Sequence, residues 1–190
     1  MALTTLDPKT ALIVIDLQKG VVALPVAHTV TDVVQHSRAL ADAFRAQHLP
    51  VVLVNVAGGA PGRAEQKRSM SGMPADWTEF VPELNRQPSD YTVTKHTWGA
   101  FSNADLHAHL QKAGVTQVVL CGVATSVGVE STARQAHELG YHVTFAIDAM
   151  TDMHADAHNN SMTRIFPRIG ETGTSAEVIA LLAATAATRA

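Results

Sequence analysis

The sequence predicts a three-layer α/β/α domain built on a doubly wound parallel sheet, with residues 1–190 forming a single domain. Three observations carry this. Ala11-Leu12-Ile13-Val14-Ile15, Val51-Val52-Leu53-Val54 and Gln117-Val118-Val119-Leu120-Cys121 are branched apolar runs without polar alternation, as strands buried on both faces require. Segments with helical spacing lie between them, which places helices over both faces of one sheet. Charged residues, Asp16 and Lys95, close two of the strand-like runs, at the carboxyl ends of the strands where such folds gather their ligands. Hydrophobic residues make up 46% of the chain, enough to fill the core this architecture needs.

The first strand ends at Asp16. From Thr29 to His48 the residues Val33, Val34, Ala41 and Phe44 recur at helical spacing, with Thr29 or Thr31 as the cap and Pro50 as the stop. Val51 to Val56 is the second strand. The stretch 57–89 holds Gly58, Gly59, Pro61, Gly62, Gly72, Pro74, Pro82 and Pro88 and no sustained period. It reads either as a lid or binding loop, or as a surface excursion pinned by Trp77 and Phe80. Its basic residues Arg63, Lys67 and Arg68 are candidates for closing over carboxylates. Tyr91 to Thr94 is the third strand, ending at Lys95. Asn103 caps a helix through Leu106 and Leu110 to Gly114. The fourth strand, Gln117 to Cys121, leads into a helix from Ser126 to Leu139. A fifth strand from His142 to Ile147, a helix near 155–166, a short sixth strand near 171–174 and a last helix from Ser175 complete the chain.

Composition excludes several function classes. A formal charge of −3 offers no basic face for nucleic acid. The single cysteine permits neither an internal disulfide nor a thiolate metal cluster, and fits a cytoplasmic setting. The first residues lack a signal-peptide pattern, and no apolar run reaches membrane-spanning length, so no membrane partner is expected. His154 and His158 have the four-residue spacing of a helical metal pair, but ten histidines make chance pairs common, and no metal is expected.

The chemistry centres on three strand ends. The glycine-marked turn after Cys121 leads into a helix, and free N–H groups there favour an anion or a developing oxyanion. Burial raises the pKa of Asp16 while Lys95 lowers it; the balance decides whether Asp16 donates or accepts a proton. The alternative is a structural ion pair. Trp98 and Phe101 are candidate pocket walls, and Gln18 and His96 candidate hydrogen-bond donors, with packing as the alternative for each.

Three stretches carry a family resemblance. Ala-Leu-Ile-Val-Ile-Asp-Leu-Gln at 11–18, Lys-His-Thr-Trp-Gly-Ala-Phe at 95–101, and Gly-Val-Ala-Thr at 122–125 with Thr132-Ala133 and Gly140-Tyr141 resemble, in order, the motifs of the isochorismatase-like hydrolases. The resemblance implies strand order 3-2-1-4-5-6, a cis peptide at Val123–Ala124, no cofactor and a homo-oligomer. It also exposes a departure. The amidase members carry their nucleophilic cysteine at the position of Gly128, whereas Cys121 lies inside the fourth strand, where a thiol is usually a small buried hydrophobe. Ser126 and Ser131 are candidate replacement nucleophiles, but neither occupies the position the family uses. The isochorismatases proper also carry glycine there and hydrolyse a vinyl ether. That resemblance implies that Asp16 protonates a small carboxylated substrate and Lys95 steadies its charge. It further implies that Gly128 leaves room for the substrate, with the N–H groups of Ala124 and Gly128 at the oxyanion position. A catalytically inactive binding or assembly protein of the same fold, or an amidase using another nucleophile, is the competing reading.

Overall fold

The computed structural model describes residues 3–66 and 72–187. Its strands are β1 (Thr10–Ile15), β2 (Val51–Val56), β3 (Tyr91–Lys95), β4 (Gln117–Val123), β5 (His142–Thr151) and β6 (Glu171–Gly173). They form one sheet in the order β3-β2-β1-β4-β5-β6, with every pair parallel. Each residue of β1 and β4 is buried, which is why these strands read as unbroken apolar runs. The helices are α1 (Lys19–Val22), α2 (Val30–Ala46), α3 (Ala104–Lys112), α4 (Glu130–Glu138), α5 (Ala155–Asn160), α6 (Phe166–Ile169) and α7 (Ser175–Ala187). Among the described residues no helix is long and apolar enough to cross a membrane.

Two cores sandwich the sheet. Leu12 and Val14 of β1 point into one with Cys121, with Leu40 and Phe44 of α2, and with Val178 and Leu182 of α7. Ala11, Ile13 and Ile15 point into the other with Leu106 and Leu110 of α3 and Ala133 and Ala136 of α4. The twofold alternation of strand side chains thus decides which layer each residue serves.

Three boundaries differ from the sequence reading. β5 runs on to Thr151, past Ile147, because Asp148 does not end the strand: its carboxylate accepts the N–H (2.6 Å) and hydroxyl (2.7 Å) of Ser175 and caps α7. The helix after β4 opens as a wide π-type turn, Thr125–Val129, before α4. The 155–166 helix is interrupted by a second such turn, Ser161–Ile165. Thr29 stands at the start of α2 but makes no side-chain capping bond, whereas Asn103 accepts the Asp105 N–H at 3.0 Å.

Candidate active site

The sheet order reverses around β1, so the ends of β1 and β4 frame the crevice where doubly wound sheets place ligands. Asp16 is the first residue beyond β1. It takes a left-handed conformation (φ 52°), one that aspartate tolerates better than branched residues, while its N–H donates to the Val54 carbonyl at 2.8 Å. Lys95 ends β3, two strands away. Its side chain reaches past β2 to place Nζ 2.8 Å from Asp16 Oδ2 and 3.2 Å from the Thr97 carbonyl. Both residues are nearly sealed, at 5% and 2% exposure.

Burial pushes the Asp16 carboxyl up to about 6, against the lowering pull of Lys95. Oδ1 of Asp16 is buried without a hydrogen-bond partner among the described residues. A protonated carboxyl satisfies this arrangement, with Oδ2 accepting from Lys95 and Oδ1 free to carry a proton.

The third strand end completes the site. The Val123–Ala124 peptide is cis, and Gly122 has φ 114°. The Ala124 N–H makes no hydrogen bond to any described residue. A Cβ on Gly128 would stand 3.3 Å from Asp16 Oδ2 and 2.9 Å from Ile15 Cγ2. Glycine at this position therefore lets the turn lie close against Ile15 and Asp16.

The structure separates the remaining candidates. Gln18 is fully buried and accepts from Val56 N–H (2.7 Å) while donating to the carbonyls of Val56 (3.0 Å) and Trp77 (3.1 Å). Both its amide hydrogens are thereby engaged, so it laces β2 to the 72–81 segment in place of the expected donation to a substrate. Gln18→Leu is expected to lower stability by about 2 kcal/mol, read by urea denaturation, because it removes three hydrogen bonds to the backbone of Val56 and Trp77. Phe101 stacks on Tyr141 (ring centroids 5.7 Å apart) and meets His107 edge-on, so its ring belongs to the helical layer. Trp98 is 65% exposed and His96 is exposed beside Gly58. Arg63 is exposed on its loop; Lys67 and Arg68 lie outside the described residues.

Cys121 points away from Asp16 into the α2–α7 core, and burial pushes its thiol up to about 12. Cys121→Ala is expected to retain turnover, and iodoacetamide to leave the native thiol unmodified over hours, checked by mass spectrometry. Ser126 is no freer: its hydroxyl donates to Asp152 at 2.7 Å. Of the two histidines at helical spacing, His158 is 7% exposed with Nδ1 2.8 Å from Thr125 Oγ1. Among the described residues no three His, Cys, Asp or Glu side chains are arranged to hold a metal ion.

Sequence reasoning misses Asp152 and the role of Thr132, and weighs His158 only as half of a metal pair, whereas the structure pairs it with Thr125. Thr132 Oγ1 donates to the Gly128 carbonyl (2.7 Å) and accepts the Ala100 N–H (3.1 Å), joining the second motif to the third. Its signal was present, a hydroxyl four residues after Gly128 on the buried helix face. Asp152 carries no such signal, because a fifth strand that ends at Ile147 leaves it five residues into a loop.

The three-layer α/β fold with its parallel sheet in the order 3-2-1-4-5-6 is that of the isochorismatase-family hydrolases. Residues 10–177 match the isochorismatase domain, and the chain belongs to that family of hydrolases. It is 46% identical over 178 residues to the isochorismatase family protein YwoC of Bacillus subtilis, covering 90% of this chain and 93% of that one. A solved isochorismatase family protein from Burkholderia thailandensis superposes with a TM-score of 0.90 at 42% identity, over 94% of this chain and 98% of the other. A cysteine hydrolase from Pseudomonas syringae pv. phaseolicola superposes with a TM-score of 0.82 at 27% identity, over 97% of both chains.

Proposed function

We propose that this protein hydrolyses a vinyl-ether bond in a small carboxylated molecule, with Asp16 as general acid and without a cysteine nucleophile. The observation that carries this reading is the buried Asp16 carboxyl, with a pKa raised to about 6, one oxygen on Lys95 and the other unpaired. Asp16 donates its proton to the terminal methylene carbon of the enol ether, leaving an oxocarbenium ion. Water adds to that cation, and the hemiketal expels the alcohol to give a 2-oxo acid, while the Asp16 carboxylate recovers a proton from the added water. Lys95 neutralises Asp16 once the proton has left and offers its remaining N–H to a substrate carboxylate. The N–H groups of Ala124 and Gly128 receive negative charge on the substrate.

The absence of a side chain at 128 and the inward burial of Cys121 support this over amide hydrolysis through a covalent thioester. The reading extends to a cytoplasmic, cofactor-independent homo-oligomer that acts on a small molecule, not on nucleic acid; the charge of −3 and the exposed Trp98 and Leu139 support it. Pyruvate release from isochorismate, coupled to lactate dehydrogenase, tests the reaction class. Release by wild type is expected; amide hydrolysis without pyruvate release from any enol-pyruvyl ether would overturn it.

A further inference from the structure

We infer that Asp152 and His158 are positioning residues: they pin the turn from Val123 to Val129 onto Asp16 and so keep water off the reacting carboxyl. The inference rests on the assignment of Asp16 above. Asp152 is the first residue after β5 and is 1% exposed. Its Oδ2 accepts both the backbone N–H and the hydroxyl of Ser126, each at 2.7 Å, and Oδ1 accepts the His154 N–H at 3.3 Å. The Asp152 carbonyl accepts the Ala27 N–H at 2.8 Å, which fixes the anchor itself. His158, in α5, meets Thr125 Oγ1 with Nδ1 at 2.8 Å. The two anchored residues, Thr125 and Ser126, directly follow the cis peptide. Thr132 holds the other end of the turn through the Gly128 carbonyl.

Gly128 sits between these tethers, and its missing Cβ would stand 3.3 Å from Asp16 Oδ2. The turn is therefore the cover over the carboxyl. A single π-type turn contributes little stability alone, so side chains from β5 and α5 have to supply its position. Neutral His158 suits the task. Burial holds its pKa below the ordinary value, His28 adds to that effect at a ring separation of 4.6 Å, and Asp152 opposes it. Asp32 and His36 of α2 and Asp148 of β5 border the same hollow as His158.

The test is the midpoint of Asp16 itself, read by 13C NMR of its carboxyl in the protein without substrate and by the falling limb of kcat/KM against pH. Asp152→Ala and Thr125→Val are expected to admit water and to lower the midpoint from about 6 toward the ordinary 3.8 by about one unit or more, a tenfold change in ionisation per unit. Asp152→Asn keeps an acceptor for both Ser126 groups and is expected to restore the wild-type midpoint. A purely structural role would lower stability and leave the midpoint in place. Folded Asp152→Ala and Thr125→Val proteins with the wild-type midpoint would overturn the inference, as would an Asp152→Asn midpoint as low as that of Asp152→Ala, which would assign the effect to charge. If Asp152→Ala does not fold, the shape-conserving Thr125→Val decides. Because the NMR titration needs no turnover, wild type that releases no pyruvate would remove the proposed reaction and leave this measurement decisive.

Discussion

Asp16→Asn is expected to reduce turnover about a thousandfold, the contribution typical of a positioned general acid. Asparagine keeps the shape and can still accept from Lys95, but it has no proton to deliver. The pH dependence gives a second measure. The acid form is the active one, so kcat/KM is expected to be flat at low pH and to fall tenfold per unit as pH rises through about 6, where Asp16 ionises in the free protein. A bound carboxylate substrate adds negative charge beside Asp16 and raises its pKa, so the corresponding fall in kcat is expected at higher pH. Steady-state kinetics from pH 5 to 9 read both limbs. A rate that rises through pH 6, or an Asp16→Asn variant with wild-type turnover, would assign Asp16 as a base or a bystander.

Gly122→Ala is expected to have the largest effect on folding. Gly122 pairs with Ile15 in the register of β1 and β4 and has φ 114°, a region that L side chains rarely enter. A Cβ there would be driven into the backbone of Ile15, with its nitrogen only 2.7 Å away and its carbonyl oxygen nearer still. Neither strand can withdraw, because both are buried on both faces. The combined clash and backbone strain are expected to cost about 4 kcal/mol or more, the range reserved for disrupted cores. Thermal unfolding is the measurement; a drop of about 10 °C or more is expected at this chain length. A Tm within two or three degrees of wild type, again at this chain length, would mean that the β1–β4 pairing relaxes around the methyl group.

The cysteine illustrates how a residue's neighbours decide its chemistry. Cys121 and Gly122 are adjacent in β4, yet Gly122 lies against Ile15 at the crevice and Cys121 faces Leu12, Val14 and the α2–α7 core. Strand alternation alone separates them, and it puts the sole sulfur nucleophile of the chain on the far side of the sheet. Gly128, without a side chain, lets the backbone of the turn lie close against Asp16, where a Cβ would stand 3.3 Å from Oδ2.

By itself the sequence determined the parallel sheet, the sequence position of each strand core, and the strand-end location of Asp16 and Lys95. These follow from short-range physics: a strand buried on both faces has to be apolar throughout, and the charge that ends it has to lie at the strand's end. Tertiary structure alone decided that Lys95 crosses β2 to reach Asp16, that Gln18 laces a loop where a ligand contact was expected, and that β5 extends to present Asp152 beneath the Ser126 turn. Each of these depends on residues more than twenty-five positions apart meeting in space. A hydrogen bond across that separation leaves no local period, cap or turn in the chain by which it can be read.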